Sequence, residues 1–454
     1  MELDSIHRVY LLGIGGIGMS ALARYFLSKG LEVSGYDRSP SPITDALINE
    51  GAQIVFDDEV STIDMCLLDD DSLLIYTPAI PSNNKIYQFL LNSGIHLYKR
   101  SEILGKLSQD YQCIGIAGTH GKTTVSSMAA HILNTSPQGC QAFLGGITKN
   151  YESNLITHPS SNWMVVEADE FDRSFLQLFP QIALITSIDA DHLDIYGTHS
   201  NLIKAFQQYA NQIKDNGKLI IKHLLAKQFK HNLNTYTYDL SDPNADFYAY
   251  NIQLINHKYQ FSLHYPKGEI ENITMSMPGL LNLENAVAAS STAILAGVDD
   301  NSIKTALESF KGIKRRMEQI LKNDNIIFYD DYAHHPEEIK ASILSIKALY
   351  PDKELTVVFQ PHLFSRTKDF AKDFAHSLDL AKHIILLNIY PAREKAIEGI
   401  TSKTIMQYMK NTSCSIQSKE NLASFLKSRK PSLLLSLGAG DIDRLIEPIK
   451  TIFL

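Results

Sequence analysis

An apolar run of strand type, Tyr111-Gln-Cys-Ile-Gly-Ile116, leads straight into Ala117-Gly-Thr-His-Gly-Lys-Thr-Thr124, and the apolar residues after it, Val125, Met128, Ala129, Ile132 and Leu133, recur at helical spacing. Strand, glycine turn and helix in that order predict a parallel α/β sheet, because a chain leaving such a strand has to cross back before it pairs again. The turn also predicts chemistry. Glycines let backbone N–H groups close on phosphate oxygens, and the helix that follows turns its positive end toward them. Lys122 would meet the β and γ phosphates, and the Thr123 hydroxyl can hold a Mg2+ ion. Gly118, Thr119, His120, Gly121, Lys122, Thr123 and Thr124 are thus the expected site for a nucleoside triphosphate, ATP or GTP. The general nucleotide loop has a glycine six residues before its lysine; Ile116 stands there, so a shorter G-x-x-G-K-T version starts at Gly118. A plain glycine turn beside a surface lysine is the competing reading.

Strand-like runs alternate with amphipathic helical stretches along all 454 residues, which predicts several α/β domains rather than one core. Charged residues make up 20% and hydrophobic ones 44% without a low-complexity tract, as in globular chains. The net charge of -8 argues against a general nucleic-acid binder, which needs clustered excess lysine and arginine. No secretory charge pattern is evident and no apolar run nears the roughly 18 residues of a membrane span, so a cytoplasmic chain with no membrane partner is expected. Cys66, Cys113, Cys140 and Cys414 are scattered, which predicts buried thiols rather than zinc or disulfide chemistry.

The chain opens with Arg8-Val-Tyr-Leu-Leu12, Gly13-Ile-Gly-Gly-Ile-Gly18, a helix to about Lys29, and Leu31-Glu-Val-Ser-Gly-Tyr-Asp37. Gly13, Gly15 and Gly18 match the dinucleotide fingerprint, with Asp37 where such folds contact a ribose or base. Alone this predicts a nicotinamide or flavin site. The turn offers only N–H groups and a helix start, however, so any nucleoside diphosphate could use it, and tight packing is a further reading. From about Tyr236 to Met277, shorter alternating strands predict a small extra sheet. After the basic run Lys311 to Arg316, strands are expected at Asn325–Tyr329, Leu355–Phe359, His383–Leu387 and Ser432–Ser436. Each is followed by polar residues, where open α/β sheets bind ligands.

Glu167 follows the run Trp163 to Val166, and a carboxylate there can share a Mg2+ ion with Thr123. Asp191-His-Leu-Asp194 follows the next strand and offers His192 as a metal or phosphate ligand. A solvated acidic turn and a structural histidine are the plain alternatives.

Read in order, G-T-H-G-K-T-T, E-A-D-E-x-D-x-S-F, D-H-L-D, K-R-R, D-D-Y-A-H-H-P, Q-P-H-x-x-S-R and Y-P-A-R-E resemble the Mur ligases of peptidoglycan synthesis over essentially the whole chain. The resemblance implies an α/β fold of three domains: Rossmann-like and UDP-sugar-binding over 1-108, a central P-loop ATPase-like domain over 109-312, and a dinucleotide-binding-like domain receiving an amino acid over 313-454. Gly15, Gly16, Ile17 and Gly18 would face the UDP pyrophosphate. The implied reaction joins L-alanine to the lactyl carboxylate of UDP-N-acetylmuramate, with ATP, and Mg2+ (or Mn2+) held by Thr123, Glu167 and His192. Lys122, His192, His362 and Arg366 would be catalytic. Asn285 and Arg316 would contact the adenine end of ATP and Asp331 its ribose side.

Three departures stand out. Lys204-Ala-Phe-Gln-Gln208 aligns no lysine cleanly for the carbamate of related ligases, Leu281 replaces a frequent histidine, and Leu363 a frequent arginine. A ligase for a murein tripeptide is the near alternative, and a nicotinamide oxidoreductase or a nucleotide-sensing protein the distant ones. A monomer or weak homodimer is expected, and tolerance of glycine or serine is open, since one methyl is worth only about 1 to 3 kcal/mol.

Overall fold

The computed structural model describes residues 5–229, 234–392 and 394–454, without the side chains of Leu193 and Asp194. It divides into two compact units. One holds the chain up to Asn251 with Phe261–Ile273 and Glu284–Phe310; the other holds Ile252–Gln260, Thr274–Leu283 and Lys311–Leu454. No helix among the described residues is long and apolar enough to cross a membrane.

The first sheet contains β1 (Arg8–Leu12), β2 (Glu32–Tyr36), β3 (Gln53–Val55), β4 (Ser72–Tyr76) and β5 (Leu97–Lys99) in the order β3-β2-β1-β4-β5. All its pairings are parallel. The order reverses at β1, and the Gly13 turn leaves its carboxyl end, where a doubly wound sheet opens a crevice. Val9, Leu11 and Leu12 are fully buried, as a strand covered on both faces requires.

The second sheet has ten strands: β6 (Gln112–Ala117), β7 (Gln141–Thr148), β8 (Ser153–Ile156), β9 (Trp163–Glu167), β10 (Ile182–Ile185), β11 (Lys218–Lys222), β12 (Asn234–Asp239), β13 (Phe247–Ile255), β14 (Lys258–Tyr265) and β15 (Gly268–Met275). β6 lies between β9 and β10, parallel to both. Its register sets Ile116 abreast of Glu167 on one side and Ala117 abreast of Ile185 on the other, so three strand ends converge on the glycine loop. The expected small extra sheet is continuous with this one. β12 pairs in parallel with β11 along five rungs, and β13 joins β12 through the two rungs Tyr238↔Phe247 and Asp239↔Tyr248. Backbone groups at the edge of β11 are thereby satisfied. The two-residue loop Asn256-His257 has φ of 51° and 61°, as a primed hairpin turn demands.

The third sheet contains β16 (Glu318–Lys322), β17 (Ile327–Asp331), β18 (Leu355–Phe359), β19 (His383–Leu386), β20 (Cys414–Ile416) and β21 (Leu433–Leu437), ordered β16-β17-β21-β18-β19-β20. Only β16, at the edge, is antiparallel. The strand expected at 325–329 is displaced to Ile327–Asp331. Asp330 pairs with Glu318 on one side and Ser436 on the other, which carries both aspartates into the buried ladder. Cys113 and Cys140 are buried as expected. Cys66 is exposed, because it lies in the short turn Met65–Leu68 of which only Leu67 reaches the core.

Candidate active site

The glycine loop is shaped by what surrounds it. Gly118 has φ +135°, and a Cβ there would lie 2.0 Å from the Thr186 hydroxyl; Gly121 has φ +82°, and a Cβ would lie 2.9 Å from the Asn285 amide oxygen. Neither position has room for a side chain. The residues after β10 brace the loop: Ser187 O accepts from Thr119 N at 3.1 Å, Ser187 Oγ accepts from His120 N at 2.8 Å, and the Thr186 hydroxyl donates to His120 O. The helix Lys122–Thr135 starts after Gly121 with no side-chain cap and no acidic residue in its first turn. Its leading N–H groups and positive end therefore face the loop. Asn285 is placed against Gly121, at the helix start.

Lys122 and Thr123 each meet a carboxylate. Lys122 Nζ donates to Gly118 O at 2.6 Å and lies 2.9 and 2.8 Å from the two Glu170 oxygens. Glu170 has 0% side-chain exposure; burial pushes its carboxyl up, and Lys122 pulls it back. Burial works against the charge of Lys122, but Glu170, Asp169 and Glu167 outweigh it and raise the ammonium's pKa. The Thr123 hydroxyl donates to Glu167 Oε1 at 3.0 Å, and Gly145 N donates to Oε2 at 3.0 Å. His192, with φ 51°, has Nε2 3.8 Å from Glu170 Oε1. It therefore adjoins Glu170, while Thr123 and Glu167 meet each other.

Among the described residues, no group of three or more His, Cys, Asp or Glu could hold a metal ion. A hydroxyl beside a carboxylate still fits Mg2+, which takes one or two hard oxygen donors and keeps several waters. Glu170 had no separate role in the sequence reading. Its only signal there was membership of the acidic run Glu167-Ala-Asp-Glu170, and which carboxylate turns inward depends on the chain that follows. Asp172 and Arg173 both take left-handed conformations, φ 52° and 56°. Lys99 Nζ holds Asp172 at 3.1 Å, the Arg173 guanidinium lies over Tyr196, and the Tyr196 hydroxyl donates to Glu170 O at 2.7 Å.

At the Gly13 turn, Gly13 has φ +90° and Gly15 N donates to Asp37 Oδ2 at 2.8 Å. Asp37 thus anchors the turn. Gly16 caps the helix Ile17–Ser28 without a side chain, and Ile17 and Gly18 form its first turn.

In the second unit, Arg315 and Arg316 both lie against the Tyr332 ring, at 5.1 and 5.0 Å. Asp331 is 7% exposed, and its oxygens accept from the Ser342 hydroxyl and Met317 N. Both oxygens are thus engaged within the unit. The His362 ring stacks on Tyr390 at 5.7 Å and lies 6.1 Å from His334. Burial, then His334 and Arg366, push the His362 pKa down to about 4. Among the described residues, His362 Nδ1 and Arg366 Nη1 are buried with no hydrogen-bond partner, which leaves the guanidinium a donor for an anion. Leu363 has φ +71°, fixed by Leu363 N donating to Tyr390 O at 2.9 Å. Glu394 accepts from Ser365 N at 2.9 Å and so caps the helix Phe364–Leu378; Arg393 of the same motif lies outside the described residues.

A glycine loop set between parallel strands, an acidic strand end beside it and two further doubly wound sheets define a nucleotide-using α/β enzyme of several domains. Family models match in sequence: the Mur ligase family catalytic domain over residues 8–112, the Mur ligase middle domain over 116–293 and the Mur ligase glutamate ligase domain over 315–440. The chain belongs to the Mur ligase family. It is 47% identical over 453 residues to the UDP-N-acetylmuramate–L-alanine ligase of Phocaeicola vulgatus, covering 99% of this chain and 98% of that one. The crystal structure of UDP-N-acetylmuramate-alanine ligase MurC from Thermotoga maritima superposes with a TM-score of 0.84 at 23% identity, over 98% and 99% of the two chains. A murein peptide ligase from Psychrobacter arcticus gives 0.71 at 22% identity over 98% of each. The fold is the three-domain α/β fold of these ligases.

Proposed function

We propose that the chain joins L-alanine to the lactyl carboxylate of UDP-N-acetylmuramate, with ATP cleaved to ADP and phosphate, in peptidoglycan precursor synthesis in the cytoplasm. The observation that carries this reading is the pairing of Lys122 with buried Glu170 beside the Thr123–Glu167 contact, in a chain 47% identical along its length to a ligase of that name. Domains divide at 1-108, 109-312 and 313-454. Gly118 to Thr124 receive the ATP phosphates, with Asn285, Arg316 and Asp331 completing the nucleotide site, and Gly15 to Gly18 with Asp37 receive the UDP sugar. Thr123 and Glu167, with His192 nearby, would hold Mg2+, which when bound offsets the charge of the phosphates.

A carboxylate is a poor electrophile. Its oxygen first attacks the γ phosphorus, ADP leaves, and an acyl phosphate forms. The alanine nitrogen then adds to the carbonyl carbon and the C–O bond to phosphate breaks, with one amine proton lost to solvent. Two anions approach in the first step, so Lys122 acts by charge and position. Arg366 receives the alanine carboxylate, and His362, held neutral, adds no competing charge.

The test is phosphate release by the purified chain with ATP and UDP-N-acetylmuramate. Release that depends on L-alanine supports the reading. Silence with alanine but release with the murein tripeptide moves the assignment to the recycling ligase, and oxidation of NADH would revive the oxidoreductase.

A further inference from the structure

β5 ends on Lys99, and the helix Arg100–Gln109 begins on the next residue. A cation in a first helical turn opposes the helix dipole, so helix stability does not explain Arg100. Its guanidinium fills the space over Gly18: a Cβ there would lie 3.0 Å from Nη1 and 3.1 Å from Cδ and Cζ. In a dinucleotide fingerprint the third glycine makes room for a strand; here it makes room for an arginine. The helix Ile17–Ser28 beneath has no acidic residue in its first turn and no side-chain cap. A guanidinium and the positive end of a helix therefore share one space, and among the described residues no carboxylate pairs with Arg100.

Lys99 reaches the other way. Its ammonium holds Asp172 at 3.1 Å, within the turn where two consecutive non-glycine residues are left-handed. Such a turn persists only when its surroundings impose it. Arg173 N of this turn donates to Glu170 O at 3.0 Å, so the turn is tied to the residue that pairs with Lys122.

We propose that Lys99-Arg100 ties the two nucleotide sites together: Arg100 grips the pyrophosphate of the uridine diphosphate sugar, and Lys99 is a positioning residue that holds the Asp172 turn and, through it, the Glu170 partner of Lys122. The proposal rests on the reading of the Gly13 to Gly18 turn as the sugar-nucleotide site. The full chain is titrated calorimetrically with UDP and with uridine, and phosphate release is followed at varied ATP. Arg100→Gln is expected to weaken UDP at least about tenfold while leaving uridine unchanged, and Arg100→Lys to recover only part, because a guanidinium fork grips phosphate at two points. Lys99→Met is expected to leave UDP affinity within about twofold and to lower kcat or raise the KM for ATP at least about fivefold, with Lys99→Arg restoring both. Circular dichroism confirms that each variant is folded. UDP affinity retained in Arg100→Gln, or ATP kinetics retained in Lys99→Met, overturns the proposal. Wild-type protein that does not bind UDP overturns the reading of the turn itself, and the proposal with it.

Discussion

Lys122 carries a structural charge pairing as well as its proposed phosphate contact, because its partner Glu170 has 0% side-chain exposure. Removing one member of a buried ion pair leaves an uncompensated charge and costs about 3 to 5 kcal/mol. Lys122→Ala is therefore expected to lose phosphate release by about a thousandfold and also to lower the unfolding free energy by several kcal/mol. Adding Glu170→Gln is expected to restore most of the stability and none of the activity. Chemical denaturation of the single and double variants checks this, and a Lys122→Ala protein as stable as wild type would show that the pair is not closed in solution. The lysine was legible from its motif. Its partner was not, since Asp169 and Glu170 are neighbouring carboxylates of one acidic run and only the fold decides which of them faces Lys122.

At the scale of elements, the site depends on close approaches and backbone conformations that most side chains would not permit. Gly145 lies on β7, and a Cβ there would come within 2.2 Å of Glu167 Oε2. Gly145→Ala is expected to displace Glu167 from Thr123 and raise the Mg2+ concentration needed for half-maximal rate at least about tenfold, with little change in the KM for the sugar nucleotide. Equal metal dependence in variant and wild type would remove Glu167 from the metal role. Leu363 presents the converse case, a side chain at φ +71° where glycine is at ease. Leu363→Gly is expected to stabilise the second unit by about 1 kcal/mol in thermal unfolding, because left-handed strain of about 1 to 2 kcal/mol is relieved and partly offset by chain entropy. The G-x-x-G-K-T loop, with its strand and helix, was readable from glycine placement and the change of period. The Gly145 contact was not, because β7 reaches Glu167 only through sheet pairing.

At the scale of the whole molecule, pH acts through buried histidines. His131, 3% exposed, bonds Tyr151 at 2.8 Å and Ser309 at 3.0 Å, and burial pushes its pKa down to about 4. The unfolded chain binds the proton near pH 6.5, so this contribution is fully present above pH 6.5 and is lost as the pH falls through about 4. Its size is on the order of 3 kcal/mol. His131→Gln is expected to flatten the stability profile between these limits, as read by denaturation midpoints at several pH values; parallel profiles would show that His131 does not titrate this way.

What the sequence determined by itself was the local grammar: glycine turns, the strand and helix periods around them, and the order of motifs that marks a Mur ligase. These are set by steric freedom and by spacing along the chain, and so survive without a partner. The tertiary structure alone decided which charges meet. Glu170 rather than Asp169 faces Lys122, Asp330 and Asp331 are drawn into the ladder, and β12 to β15 extend the central sheet. Desolvation and strand pairing depend on residues distant in sequence, and a buried carboxylate is stable only where the fold brings it a partner.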